Sequence, residues 1–129
     1  MNFPYIFLEG RYLPIVPLEL KGNEWIELRA FVDSGASYSI FHADIAEILG
    51  LDFTKGEKNY MTVGDGVQIP VYTHDVKVHF SQQEFTAKIG FSNKLGIGFD
   101  ILGREGFFDR FIICFDDKEK IVKTIDRKD

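Results

Sequence analysis

Leu28-Arg29-Ala30-Phe31-Val32-Asp33-Ser34-Gly35-Ala36-Ser37 is the stretch on which the fold turns. Apolar side chains from Ala30 to Val32 run straight into an acid, so a strand ends where Asp33 begins. Asp, Ser and Gly are all turn residues, and a turn placed directly after a strand holds the Asp33 carboxylate at the strand's end. Gly35 lets the backbone approach closely and direct an N–H toward that carboxylate. An ordinary strand-to-loop turn uses the same residue types, so the triplet acquires meaning only from what surrounds it.

Upstream, Ile15 to Leu20 and Trp25 to Val32 read as two strands joined at Lys21-Gly22-Asn23-Glu24, a hairpin that delivers its second strand into Asp33. Downstream, Tyr38 to Phe41 is a short apolar strand. His42 to Leu49 then carries Ile45, Ile48 and Leu49 at helical spacing, with Gly50 as its left-handed stop. Asp52 to Asn59 reads as polar connection. Tyr60 to Val63 and Gln68 to Thr73 flank Gly64-Asp65-Gly66, which predicts a mobile hairpin, and Asp75 to Phe80 with Phe85 to Phe91 predicts another around Ser81-Gln82-Gln83-Glu84. Asp100 to Gly103 is a short strand, Arg104 to Arg110 a brief helical turn, and Phe111 to Phe115 and Ile121 to Ile125 are strands about the charged turn Asp116 to Lys120. About eight short strands with one clear helix predict a mainly β chain whose sheet closes into a barrel, since closure covers the edges.

The chain has 129 residues, 45% hydrophobic and 15% aromatic, enough apolar material for one core, so a single domain over 1–129 is expected. Its net charge of −5 and lack of a basic cluster speak against nucleic acid. The sole cysteine, Cys114, has no internal disulfide partner and sits in an apolar run where a thiol is expected to be a small buried hydrophobe. Pro4 and Glu9 interrupt the apolar start and no basic segment precedes it, unlike a secretory leader. No stretch reaches the roughly 18 apolar residues of a membrane span. A soluble cytoplasmic protein is the expectation.

Taken together, Ala30-Phe31-Val32-Asp33-Ser34-Gly35-Ala36-Ser37 and the later Asp100-Ile101-Leu102-Gly103-Arg104-Glu105-Gly106-Phe107-Phe108 resemble the retroviral-type, or retropepsin-like, aspartic proteases. The helix ending at Gly50 and the glycine-tipped hairpin stand between them in the family's order, so the likeness spans about Ile15 to Ile125. Ser34 stands where the family more often has Thr, and Glu105 where Asp is frequent. Serine retains the hydroxyl.

The resemblance implies a homodimeric aspartic endopeptidase with a closed acid-protease barrel. Asp33 would be the catalytic carboxylate, Ser34, Gly35 and Ala36 its supporting loop, and Ile101, Leu102 and Gly103 the strand that buttresses it. Val63, Gly64, Asp65 and Gly66 would form a flap over an extended peptide. One Asp-Ser-Gly per chain makes the two-carboxylate site composite, with Asp33 from each of two subunits, a water as nucleophile, and neither metal nor cofactor. Met1 to Leu8 and Ile121 to Ile125 are apolar enough to join an interface sheet. A dimeric module that binds an extended peptide by strand addition without cutting it is the alternative.

Other chemistries are poorly supported. Gly96-Ile97-Gly98 lacks the third glycine and following helix of a dinucleotide fingerprint. Gly35-Ala36-Ser37-Tyr38-Ser39 lacks the last glycine of a nucleophile elbow. His42, His74 and His79 have no metal-ligand spacing with Cys114 and read as surface or helix-end residues.

Overall fold

The computed structural model of the chain describes residues 1–63 and 66–127. These form strands β1 (Asn2–Pro4), β2 (Ile6–Leu8), β3 (Arg11–Leu13), β4 (Ile15–Lys21), β5 (Trp25–Val32) and β6 (Ser39–His42), then helix α1 (Ala43–Leu49). Strands β7 (Glu57–Val63), β8 (Val67–Phe80), β9 (Gln83–Ser92), β10 (Ile101–Leu102), β11 (Phe111–Asp116) and β12 (Ile121–Asp126) follow.

The main sheet runs β4-β5-β10-β6-β9-β8-β7, and β4 also pairs with β8, so hydrogen bonding closes the sheet on itself. Closure gives β4 a partner on both sides, as expected of many short strands with a single helix, while β7 at the end of the order has β8 as its one strand partner among the described residues. β8 is long enough to serve three neighbours. Val67 to Thr73 pairs with β7, Tyr72 to Phe80 with β9, and Lys77 to His79 with β4. The two separate strands expected on either side of His74 are therefore one, because Thr73-His74-Asp75 passes the strand from one partner to the next instead of breaking it.

Helix α1 ends as its sequence predicts, with Gly50 at φ 81° and its N–H on the carbonyls of Ala46 and Glu47. Ala46 and Leu49 form its buried face while Ile48 lies exposed, so Ile48 is not the core contact its spacing suggested. The Leu49 carbonyl accepts the Asn23 N–H at 3.1 Å, which docks the β4–β5 turn on the helix end.

Arg104 to Phe108 departs from a regular helix: Glu105 is extended and Gly106 has φ 91°, a bend that breaks the expected turn. The β8–β9 connection is shorter than expected, with Ser81 and Gln82 both at positive φ. Such a two-residue turn normally takes Asn or Gly. Here the Ser81 hydroxyl hydrogen-bonds the buried Thr124 hydroxyl, an interaction that helps hold the turn.

A second sheet, β1-β12-β11, pairs the first strand with the last two within the one chain, with Phe3 opposite Val122. Phe3, Phe111, Val122 and Thr124 point inward; Phe3, Phe107 and Phe111 surround Phe80 at centroid separations of 5.4–5.9 Å, and Phe85 packs on Phe107 and Phe111 at 5.7 and 5.8 Å. Cys114 falls on the opposite face and is exposed, because strand alternation turns it away from inward-facing Phe111. The expected buried thiol is thus corrected. Tyr5 fastens the sheet's margin: its N–H donates to the Lys120 carbonyl at 2.8 Å and its hydroxyl to Asp117 Oδ1 at 2.7 Å. Burial, then the Asp117 hydrogen bond and nearby negative charge, push the Tyr5 hydroxyl up to about 12. Tyr5→Phe should cost about 1 kcal/mol, read as a lower thermal midpoint at pH 7.

Candidate active site

Asp33 follows β5 directly and its N–H donates to the Leu102 carbonyl at 3.0 Å. β10 lies between β5 and β6: Ile101 and Leu102 pair with Phe31 and Val32 in parallel, and Ile101 pairs with Ile40 in the antiparallel sense. The strand entering the Asp33 loop and the strand leaving it are consequently bridged by one short element. Immediately beyond it, Arg104 and Glu105 donate their N–H groups to the Ala36 and Ser37 carbonyls, each at 2.9 Å. The loop is held from below along its length.

Within the loop, Gly35 N–H donates to Asp33 Oδ1 at 2.9 Å and Ala36 N–H to the Asp33 carbonyl at 3.1 Å. The first bond fixes the carboxylate's orientation without burying it, for Asp33 is half-buried and Ser34 and Gly35 are exposed. Gly103 occupies the tightest point. Its N–H donates to the buried Ser39 hydroxyl at 2.9 Å, and a Cβ there would lie 2.3 Å from the Tyr38 carbonyl oxygen.

Above the loop is an open cleft of about 390 Å³ lined by Asp33, Gly35, Ala36, Ile101 and, from β7, Tyr60 to Val63. The β7–β8 hairpin thus forms a wall facing the carboxylate, and Gly66, at φ 93°, donates its N–H to the Val63 carbonyl near its tip. Gly64 and Asp65 lie outside the described residues. Met61, Ile69, Val71, Leu95, Ile40 and Ile101 pack as a small apolar cluster behind the cleft, with Ala36 and Val63 against it. Asp33, Gly35, Ala36, Ile101 and Val63 are accordingly brought together around one space, while Ser34 stands on the exposed rim and Leu102 and Gly103 support it from behind.

Sequence reasoning missed one constellation beside this loop. The His42 backbone N–H donates to Asp100 Oδ1 at 2.8 Å, and His42 Nδ1 lies 2.7 Å from the same oxygen. Its Nε2 lies 2.7 Å from the Ile97 carbonyl. The available signal was a histidine at the helix-capping position, where Ser, Thr, Asp or Asn is usual; its ring makes no capping bond because it is turned toward Asp100 and Ile97. The Asp100 carbonyl also accepts the Phe31 N–H at 2.8 Å, so this residue links the histidine to the strand leading into Asp33.

A closed β sheet with an Asp-Ser-Gly loop braced by a short apolar strand defines an acid-protease fold. The chain belongs to the aspartyl protease family, whose model, described as "Aspartyl protease", matches residues 16–88, more than half of it. Its fold is retropepsin-like. A retropepsin-like aspartic protease from Rickettsia conorii superposes with a TM-score of 0.70 at 18% identity, covering 97% of this chain and 91% of that one. The EIAV protease, solved in complex with the inhibitor HBY-793, gives a TM-score of 0.56 at 19% identity over 77% of this chain and 88% of its own. No curated protein sequence matches significantly. Among the described residues, no helix is long and apolar enough to cross a membrane.

Proposed function

We propose that the chain, acting as one domain, is a homodimeric aspartic endopeptidase in which Asp33 of each subunit contributes one carboxylate to a shared site. The observation that carries this reading is the Asp33 carboxylate itself, fixed by the Gly35 N–H yet left open to a peptide-sized cleft. A buried structural aspartate would have its oxygens consumed by the fold. Family membership supports the same chemistry.

Hydrolysis without a covalent intermediate needs a base to take a proton from water and an acid to polarise the carbonyl and protonate the leaving amine. Two carboxylates sharing one proton supply both roles, as is general for aspartic proteases, because like charges a few ångströms apart do not both ionise readily. The sequence offers one Asp-Ser-Gly, so the second carboxylate comes from a second chain. Ser34, exposed in this chain, would hydrogen-bond across the two-fold axis to the partner's loop, as the family resemblance implies. Val63, Gly64, Asp65 and Gly66 would close over an extended peptide as a flap, excluding water while the bond is cut.

Sedimentation velocity across a concentration series, read beside cleavage of a mixed peptide library between pH 3 and 8, tests the composite site. Specific activity should rise with the dimer fraction and vanish on dilution to monomer. A monomer that cleaves with unchanged specific activity refutes the shared site. A dimer that binds library peptides and cuts none makes the chain a binding module instead.

A further inference from the structure

The contacts of His42 can all be hydrogen bonds in only one protonation state. Nδ1 faces a carboxylate oxygen and Nε2 a backbone carbonyl, both acceptors at 2.7 Å. Neutral imidazole has one N–H, so one contact would set a nitrogen lone pair against an oxygen; imidazolium donates from both nitrogens. The two acceptors sit at opposite ends of the Ile97 to Asp100 segment, and the ring clasps it from β6. Just before this segment Leu95 is buried in the cluster behind the cleft, and just after it Ile101 lines the cleft.

We propose that His42 is a positioning residue, a latch that holds the loop from Leu95 to Asp100, and with it Ile101 beside Asp33, while its ring is protonated and releases the loop when the ring is neutral. The latch stands on the loop's own geometry; only its effect on cleavage rests on the peptidase reading.

The charges bearing on the ring agree in sign. Asp100 faces it from the entrance to β10 and Asp44 from the first turn of α1, while Ser92, its register partner on β9, brings no charge. Burial by itself lowers the His42 value, but the Asp100 hydrogen bond, the Ile97 carbonyl and the two carboxylate charges outweigh it and hold the ring above the ordinary 6.5. Folding stability from a raised histidine is fully present below the unfolded value and is lost as pH rises through the folded one. The latch is therefore closed in acid and opens on the alkaline side of 6.5.

Imidazole and backbone amide NMR of the full-length chain between pH 5 and 9 tests this directly. Below the midpoint both His42 nitrogens should be protonated. The midpoint should lie above that of an unstructured histidine, and the Ile97, Asp100 and Ile101 amides should shift along the same curve. Asp100→Asn should lower the midpoint, and His42→Gln should abolish the titration of those amides. In peptide cleavage, His42→Gln should have a lower kcat/KM than wild type below the His42 midpoint, and the two should converge above it, a ratio from which the titration of the Asp33 pair itself cancels. A His42 midpoint at or below the unstructured value, or loop amides that ignore it, overturns the latch whether or not the chain cleaves peptides. If the amides follow His42 and no peptide is cut, the latch stands and the peptidase reading fails. Should His42→Gln not fold, the wild-type and Asp100→Asn curves decide alone.

Discussion

Asp33→Asn should reduce kcat/KM on any peptide the wild type cleaves by about 10³-fold or more, with folding and dimer formation unchanged. Asparagine matches aspartate in shape, and its amide oxygen can keep the Gly35 N–H bond that orients the side chain. It has no basic oxygen to take a proton from water, and acid–base assistance contributes roughly 10² to 10⁴ in rate. Thermal midpoint and sedimentation should therefore match the wild type while cleavage is lost. A tandem chain, with two copies joined by a flexible linker, makes the test sharper. If Asp33 works as a pair, mutating one copy should cost as much as mutating both, since residues acting as a unit lose function together. Half the activity from the singly substituted tandem would mean that each chain works alone, and the shared site would be wrong.

What the sequence discloses about this site is local. The run into Asp33, the hairpin that delivers it and the Gly50 helix stop are set by neighbouring residues, and each is found where pattern and turn chemistry place it. The closed sheet was legible as a class from many short strands and a single helix. Elements held by distant partners were not. Asn2–Pro4, Ile6–Leu8 and Arg11–Leu13 are too short to show alternation, and Pro4 disguises the first. They exist because β12 and the β2–β3 pairing supply their hydrogen bonds. The same pairing within the chain satisfies β12 on both edges, so the expected interface role of the termini cannot use that strand's edge. His42 and Asp100 are separated by 58 positions, and nothing in local periodicity links them. Cys114 was misjudged because an apolar run does not reveal which face of a strand is covered.

Ile101-Leu102-Gly103 shows how a weak local signal becomes a strong structural requirement, and Gly103→Ala should expose it. A two-residue strand has little stability of its own; β10 persists because β5 and β6 grip it from both sides. The glycine is not there for conformational freedom, since its φ of −105° suits any residue. It is there for space. A methyl group would meet the Tyr38 carbonyl oxygen at 2.3 Å, its carbon at 2.4 Å and its nitrogen at 2.8 Å, all backbone atoms. A flexible side chain could swing aside, but this backbone is fixed by the Gly103 N–H bond to Ser39 and by the Arg104 and Glu105 bonds to Ala36 and Ser37. Substitution must push β10 away from the Asp33 loop and break one or more of these bonds. The expected loss is about 3 kcal/mol or more, beyond ordinary overpacking because backbone has to move. For a chain of this size, that lowers the thermal midpoint by roughly 10 °C. Gly96→Ala and Gly98→Ala provide the control, for neither would bring a Cβ within 4 Å of another group, and each should stay within about 0.5 kcal/mol of the wild type. Calorimetry of the three variants decides the matter. If Gly103→Ala melts with the controls, the strand is not wedged against the loop. If it melts early but, while folded, retains full kcat/KM, β10 supports the fold without setting the geometry of Asp33.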